Sequence, residues 1–154
     1  MTTPSSIIAV MVKYPTPGKV KTRLAKDTSV EFATDLYKAF VEDICTQLSD
    51  WNIPFALLYA PDATETMMKN WLPYDVPFIK QEGKDLGERL KNGFNSLYQD
   101  YDNVIMIGSD APDIPKEVYE EGLKKVSKKI VIGPSEDGGY YMIGMSKTSF
   151  APEF

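Results

Sequence analysis

Residues 7–24 read IIAVMVKYPTPGKVKTRL, an apolar run followed by a loop rich in proline, glycine and basic side chains. The run from Ile7 to Val12 is too short for a helix of ordinary length, and its unbroken apolar character predicts a buried strand of a parallel sheet. The loop then brings cations and backbone amides to the carboxyl end of that strand, and Gly18 lets the backbone approach a ligand closely. Because α/β proteins bind anions in this position, the stretch predicts an α/β fold with a phosphate site. An ordinary solvated basic loop is the alternative.

The composition limits the chemistry that the chain can perform. Its 154 residues include one cysteine, Cys45, and no histidine. The missing histidine excludes a Ser-His-Asp or Cys-His catalytic apparatus and every zinc site that needs imidazole. A single cysteine excludes an intrachain disulfide, and its place on the apolar face of a predicted helix favours a packing role. Catalysis would therefore depend on carboxylates, lysine, arginine, hydroxyls or a bound hard metal ion.

The balance of charge argues against nucleic acid as a partner. Seventeen basic and twenty-two acidic side chains give a net charge of -5, which disfavours a general nucleic-acid or anionic-membrane binder. Residues 13–26 are the exception, with five basic side chains and no acidic one. No apolar run approaches eighteen residues, and no basic segment precedes the first one, so we expect neither a membrane span nor a signal peptide. These features predict a cytoplasmic protein with a local anion site.

Strands and helices alternate along the sequence. Apolar residues at spacings of three and four predict a helix over Val30 to Ser49, with Thr28 and Glu31 as a capping box. Three further helices are predicted: one whose start is capped by the pair Asp62 and Glu65, one from Leu86 to about Tyr98, and one from Pro115 to near Val126. The predicted strands are Ile7–Val12, Pro54–Tyr59, Val76–Ile79, Val104–Ile107, Ile130–Ile132 and Tyr140–Met145. This order predicts a single domain over residues 1–154, with a three-layer α/β/α architecture and a mainly parallel sheet.

An acidic segment, GSDAPD at residues 108–113, follows one predicted buried strand. Asp110 stands close to the carboxyl end of that strand, where a carboxylate can hold Mg²⁺ or Mn²⁺ against phosphate oxygens. An aspartate in this position can equally cap a turn or the next helix. The sequence therefore makes Asp110 a candidate metal ligand.

A second acidic segment, GPSEDGGYY, spans residues 133–141. Gly138 and Gly139 permit a backbone turn beside a ligand, and Asp137 can serve as a ligand or as a base. Asp137 would share a rim with Asp110 if the two preceding strands are parallel neighbours. Tyr140 is expected either to touch substrate or to pack in the core. A plain hairpin turn is the alternative reading of the segment.

The segment QEGKDLGER, residues 81–89, links a predicted strand to a helix and adds polar groups. Gln81 and Asp85 can hydrogen-bond a base or ribose, Arg89 can reach phosphate, and Gly83 leaves room for a ligand. On the first loop, Lys19, Lys21 and Arg23 are the candidate phosphate ligands. Neither a P-loop nor the Rossmann glycine spacing is present.

Four segments, PTPGKVKTRL, QEGKDLGERL, GSDAPD and GPSEDGGYYMIG, occur in this order along the chain. Together they resemble a family of bacterial and archaeal glycosyltransferase-A-like proteins, some of them associated with arsenosugar biosynthesis. They also resemble a variant of the motifs of molybdenum-cofactor and phospholactate guanylyltransferases. The resemblance covers nearly the whole chain and implies the nucleotide-diphospho-sugar transferase fold. It implies phosphate binding by Gly18, Lys21 and Arg23, nucleotide contact by Gln81, Gly83 and Asp85, a metal on Asp110, and acceptor or sugar contact near Asp137, Gly138 and Gly139.

The resemblance implies a metal-dependent transferase with a small-molecule acceptor. In the leading hypothesis a divalent ion on Asp110 and the basic loop bind the pyrophosphate of an NDP-sugar, and the acceptor attacks the anomeric carbon with Asp137 as base. Sugar transferases of this fold commonly carry Asp-x-Asp, whereas this chain has Ser109-Asp110-Ala111. The alternative is therefore transfer of a nucleotidyl group from an NTP to a small phosphorylated substrate. A third hypothesis is a non-catalytic nucleotide-binding or oligomer-forming module.

The resembling proteins continue beyond the predicted strand at Tyr140 to Met145 with a further helix and strand. We therefore expect this fold to lack its C-terminal elements and to leave that strand near a sheet edge. Unpaired backbone and exposed apolar side chains favour association, which predicts a homo-oligomer through the C-terminal region. The side chains expected to be exposed are Tyr141, Ile143, Met145, Phe150 and Phe154.

Overall fold

The structure is a computed structural model that describes residues 5–150. Within this range the chain forms six strands, β1 (Ser6–Val12), β2 (Phe55–Tyr59), β3 (Phe78–Lys80), β4 (Asn103–Ile107), β5 (Val131–Pro134) and β6 (Tyr140–Ser146). It also forms five helices, α1 (Thr22–Asp27), α2 (Val30–Asp50), α3 (Glu65–Trp71), α4 (Leu86–Leu97) and α5 (Lys116–Lys125). Over the same residues, no helix has the length and apolar character needed to cross a bilayer.

The six strands form one mixed sheet in the order β3-β2-β1-β4-β6-β5. Strands β1 to β4 run parallel to one another, whereas β6 runs antiparallel to both β4 and β5. From β1 the chain adds β2 and β3 on one side, and β4 then pairs with the other side of β1. The strand order therefore reverses between β1 and β4, the position at which open α/β sheets bind ligands.

Apolar side chains cover both faces of this sheet. Ile8, Val10 and Val12 of β1 pack with α2, α3 and α5 on one face. Ile7 and Ala9 of the same strand pack with α4 on the other face. Because successive strand residues point to opposite faces, the unbroken apolar run at 7–12 reflects burial on both sides. The predicted three-layer α/β/α architecture is confirmed.

Two predicted helix caps are wrong although the helices themselves form. Ser29 caps α2 by accepting a hydrogen bond from the backbone amide three residues on, whereas the Thr28 hydroxyl donates to the carbonyl of Leu24 in α1. The cap of α3 is Thr64 rather than Asp62. In both cases a second residue of the capping type stands within two positions, and the residue directly before the first helical turn takes the role.

One further element differs from the prediction. The sequence pattern predicts no helix over α1, which follows directly on the basic loop. Cys45, by contrast, lies buried on the apolar face of α2 as predicted, and burial raises the pKa of its thiol to about 12.

The strand at Tyr140 to Met145 lies one position from the sheet edge, but the expectation that its backbone is unpaired and its apolar side chains are exposed is wrong. β6 lies between β4 and β5, and β5 occupies the edge. Ile143 is 7% exposed and Met145 2% exposed, because the preceding strand pairs back along β6 and covers it. Phe150 packs against the rings of Phe94 and Tyr98, and Phe154 lies outside the described residues. Association through the C-terminal region stays a prediction.

Candidate functional site

A cleft of about 840 Å³ opens at the carboxyl ends of β1 and β4, where the strand order reverses. Three segments form most of its walls: the end of β1 with the following loop and the start of α1, the connection from β3 to α4 with the first turn of α4, and residues 108–110 after β4. Tyr37 of α2 also lines the cleft. Parallel strands deliver their following loops to one end of the sheet, which brings these distant segments together. The position matches the one predicted from the sequence for an anion.

The walls of the cleft carry an excess of positive charge. Their cationic side chains are Lys13, Lys21, Arg23, Lys84 and Arg89, and their carboxylates are Asp85 and Asp110. The whole chain has the opposite balance, with a net charge of -5. Cations gathered in a concave site raise the local concentration of anionic ligands. The cleft is therefore suited to a ligand that carries phosphate.

Lys21 is the residue that joins the basic loop to the end of β4. Its Nζ lies 2.7 Å from Oδ1 of Asp110 and 5.1 Å from the centre of the Phe40 ring. Its backbone is left-handed, with φ 50° and ψ 45°, at the N-cap of α1. A non-glycine residue in this conformation is strained, and such strain clusters at functional sites. Gly18, with φ 85°, supplies the other left-handed residue of this loop at little cost.

Tyr37 of α2 ties the ends of β1 and β4 together. The backbone N–H of Lys13 donates to its hydroxyl oxygen at 2.8 Å, and the same oxygen lies 3.1 Å from Oγ of Ser109. Burial raises the pKa of the Tyr37 hydroxyl, so the group stays protonated and available as a donor. One turn further along α2, Phe40 lies against Lys21. A single helix thus supports both sides of the cleft.

Sequence reasoning missed the role of Tyr37, because its spacing on α2 fits the apolar face. The available signal was a lone hydroxyl-bearing aromatic residue among aliphatic positions. Lys13 and Lys84 were missed as well, although both line the cleft. Lys13 follows β1 directly and Lys84 lies in the connection from β3 to α4, and this position after a strand is the feature that could have identified them.

The Asp110 carboxylate fits a divalent cation that arrives with phosphate. Its side chain is 78% exposed and stands on the wall of the cleft at the end of β4. Within residues 5–150, no group of three or more histidine, cysteine, aspartate or glutamate side chains could hold a metal alone. Mg²⁺ usually binds through one or two carboxylates, with water and substrate phosphates completing its shell. The donors present suit that mode of binding rather than a permanent structural metal.

The connection from β3 to α4 and the first turn of α4 place Gln81, Asp85 and Arg89 in the wall of the cleft. Each also has a structural contact: the Gln81 amide donates to the Leu58 carbonyl at 2.8 Å, and Asp85 accepts from the first turn of α4. Nε of Arg89 donates to the Gly83 carbonyl at 3.1 Å. Gly83 has φ 142°, and a Cβ there would lie 2.7 Å from the Glu88 side chain. Contact of these residues with base, ribose or phosphate stays a prediction.

Lys19 lies beside the main cleft rather than in its wall. It lines a neighbouring cleft of about 440 Å³ together with Lys13, Tyr14, Asp62 and Arg89. Lys13 and Arg89 border both clefts. The two spaces are therefore adjacent, and Lys19 adds positive charge near the main cleft.

The hairpin between β5 and β6 does not contribute to the walls of the main cleft. β5 runs parallel to β4, so the hairpin lies at the same end of the sheet, but β6 separates the two strands. The premise that they are parallel neighbours is therefore wrong. None of Asp137, Gly138, Gly139 or Tyr140 lines the cleft, and Tyr140 is 45% exposed.

The Asp137 carboxylate is engaged within its own turn. Oδ1 accepts from the Ser135 hydroxyl and from the Gly139 amide at 3.0 Å. These hydrogen bonds, that of Ser135 first, lower the pKa of Asp137. A lowered pKa makes the carboxylate a weaker base. Its role as base stays a prediction.

Comparisons with known proteins agree on the fold. The family described as "Uncharacterized protein conserved in bacteria (DUF2064)" matches residues 44–153. No curated protein matches the sequence. A candidate nucleotide-diphospho-sugar transferase from Desulfovibrio desulfuricans G20 is 39% identical, with a TM-score of 0.92 over 98% of this chain and 67% of that chain.

More distant structures share the architecture. A 4-diphosphocytidyl-2C-methyl-D-erythritol synthase is 11% identical, with a TM-score of 0.56 over 95% of this chain and 76% of its own. A cytidylyltransferase from Leptospira borgpetersenii serovar Hardjo-bovis is 13% identical, with a TM-score of 0.51 over 94% of this chain and 61% of its own. At such identities the likeness shows the fold alone. The nucleotide-diphospho-sugar transferase fold predicted from the four motifs is confirmed.

Proposed function

The chain belongs to the DUF2064 family, and we propose that it is a metal-dependent transferase with a nucleotide-diphospho-sugar as donor. The 39% identical protein from Desulfovibrio desulfuricans, a candidate transferase of that kind, supports this proposal. The acceptor is a small molecule that enters the open side of the cleft.

The observation that carries the proposal is the cationic cleft at the reversal of strand order. A nucleoside diphosphate needs positive charge for its phosphates and polar groups for its base and ribose. Lys21 and Arg23 offer the first, and Gln81 and Asp85 offer the second. The volume of about 840 Å³ lies within the range of small-molecule sites.

Each of these residues has its own role in the proposed reaction. Lys21 and Arg23 bind phosphate oxygens and orient the pyrophosphate. Asp110 would hold the divalent cation, which supplies a Lewis acid that offsets charge on the leaving diphosphate. Tyr37 keeps Ser109, and with it the end of β4, fixed against β1.

A second candidate function is nucleotidyl transfer from an NTP to a small phosphorylated substrate. The engagement of Asp137 by Ser135 and Gly139 favours it, because attack by a phosphate on the α-phosphate needs no strong base. Both reactions use the same cation and the same basic loop. They differ in the leaving group, which is a nucleoside diphosphate in sugar transfer and pyrophosphate in nucleotidyl transfer.

Phosphorus NMR distinguishes the two functions. The protein is incubated with NDP-sugars in a buffer that contains Mg²⁺ and no Mn²⁺. A separate sample contains NTPs and phosphorylated acceptors. Sugar transfer, including slow transfer to water, releases a nucleoside diphosphate, whereas pyrophosphate identifies nucleotidyl transfer. Arg23→Ala should abolish either signal, and Lys128→Ala, at an exposed position outside the cleft, should preserve it. Absence of any released product with every donor would contradict the proposed function.

A further inference from the structure

The ion pair between Lys21 and Asp110 places a lysine side chain next to the carboxylate that is the candidate metal ligand. The two charged atoms are 2.7 Å apart, with the lysine side chain 23% exposed and the aspartate 78% exposed. The Phe40 ring lies beside the ammonium group at 5.1 Å and holds it over α2. Lys21 is therefore a positioned counter-ion rather than a freely moving surface lysine.

A lysine in this place competes with a divalent ion for the same carboxylate. Coordination of Mg²⁺ or Mn²⁺ requires access to the Asp110 oxygens, and an ammonium group at 2.7 Å both occupies Oδ1 and repels a second cation. The pair is largely exposed on its aspartate side, and exposed ion pairs are weak. Replacement of Lys21 by another cation is therefore feasible once Lys21 has a different anion to bind.

From this geometry we infer that Lys21 and the divalent cation exchange at Asp110, with the phosphates of the nucleotide receiving Lys21. The inference rests on the proposed function, because it takes the nucleotide phosphates as the second partner of Lys21. Without nucleotide, Lys21 neutralises Asp110 and keeps its affinity for metal low. With nucleotide, Lys21 turns to phosphate oxygen and Asp110 becomes free for the cation. Nucleotide binding consequently raises the affinity of Asp110 for the metal.

The first test measures Mn²⁺ binding without nucleotide. Paramagnetic broadening of the Asp110 and Ala111 amide signals reports the local affinity in the wild type, in Lys21→Met and in Lys21→Arg. Lys21→Met should bind Mn²⁺ about fivefold more tightly, as loss of an exposed ion pair permits, whereas Lys21→Arg keeps the charge and should resemble the wild type. Equal affinity in Lys21→Met and the wild type would overturn the exchange. Unchanged amide spectra away from the cleft check that both variants fold.

The second test adds UDP, GDP, CDP or ADP without metal and follows the Asp110 carboxylate carbon resonance. Departure of Lys21 should shift this resonance on binding. Binding without such a shift would overturn the exchange while leaving the proposed function intact. If none of the four nucleotides binds with or without Mg²⁺, the proposed function fails, and the Mn²⁺ comparison still decides whether Lys21 competes for Asp110.

Discussion

Asp110 is the residue on which the metal dependence rests. Its carboxylate lies in the cleft at the end of β4. Replacement by asparagine preserves the shape of the side chain and removes its charge. We expect Asp110→Asn to weaken nucleoside diphosphate binding at least about tenfold with Mg²⁺, or about 1.4 kcal/mol, since the cation loses the charged ligand that holds it in the cleft. Without Mg²⁺ the same change should tighten diphosphate binding slightly, because Lys21 no longer has to leave Asp110 to reach the phosphates. Calorimetry with and without Mg²⁺ measures both quantities.

A matched control for this substitution is Asp75→Asn, at an exposed position on the loop before β3. It changes the net charge equally and should leave the Mg²⁺ dependence as in the wild type. An Asp110→Asn protein that retains full Mg²⁺ dependence would remove Asp110 from the metal site.

The lowered pKa of Asp137 leads to a prediction about pH dependence. Its pKa lies below the ordinary value of 3.8, chiefly because the Ser135 hydroxyl donates to the carboxylate. The stabilising contribution of this turn is thus present above pH 3.8 and is lost as pH falls through the lowered pKa. The Gly139 amide shift, followed by NMR, should titrate with a midpoint below 3.8, and Ser135→Ala should move that midpoint upward. A wild-type midpoint at or above 3.8 would show that the turn does not hold the carboxylate.

Single residues were predictable from sequence where their chemistry is visible in their type and position. Lys21, Arg23 and Asp110 lie in the segments that follow β1 and β4, and the rule that ligands bind at the carboxyl ends of parallel strands made them candidates for the cleft that they line. The Lys21–Asp110 pair was not predictable, because it joins residues far apart in the chain. Its geometry depends on the left-handed backbone at Lys21, which the sequence does not indicate for a lysine.

At the scale of elements, α2 is the support of the cleft. Tyr37→Phe removes the hydroxyl that Lys13 and Ser109 share and leaves buried polar groups without this partner. We expect a loss of about 1–3 kcal/mol in the free energy of unfolding, measured by urea denaturation. Tyr119→Phe is the matched control, since Tyr119 is 1% exposed and packs by its ring. A loss no larger than that of Tyr119→Phe would show that the hydroxyl does not join the strand ends.

The existence of the long elements followed from their apolar periodicity, but their details did not. The spacing over residues 30–49 identified α2, yet Ser29 and Thr28 are both good caps and the sequence does not choose between them. α1 is short and has no buried residue, so no apolar period reveals it.

At the scale of the whole molecule, the order of the strands decides where the site lies. Strands β1 and β4 are adjacent and parallel, which sets the basic loop against Asp110. The rule for α/β sheets predicted that ligands lie at the carboxyl ends of the strands, but it did not predict that β1 and β4 are neighbours. The sequence also did not reveal that β6 returns antiparallel between β4 and β5, because a strand buried on both faces has the same apolar pattern in either direction.

The binding of nucleotide phosphates in the cleft is tested most directly by mapping amide shifts in a nitrogen-15 NMR titration. UDP, GDP, CDP and ADP are added in turn with Mg²⁺ to the wild-type chain, and the perturbed residues are placed on the structure. At least one nucleotide should perturb residues 13, 20–24, 81–89 and 108–110 together, and its nucleoside should perturb residues 20–24 far less. Shifts confined to another surface, such as the groove between α5 and β5, or no shifts with any of the four, would contradict a phosphate site at the reversal of strand order.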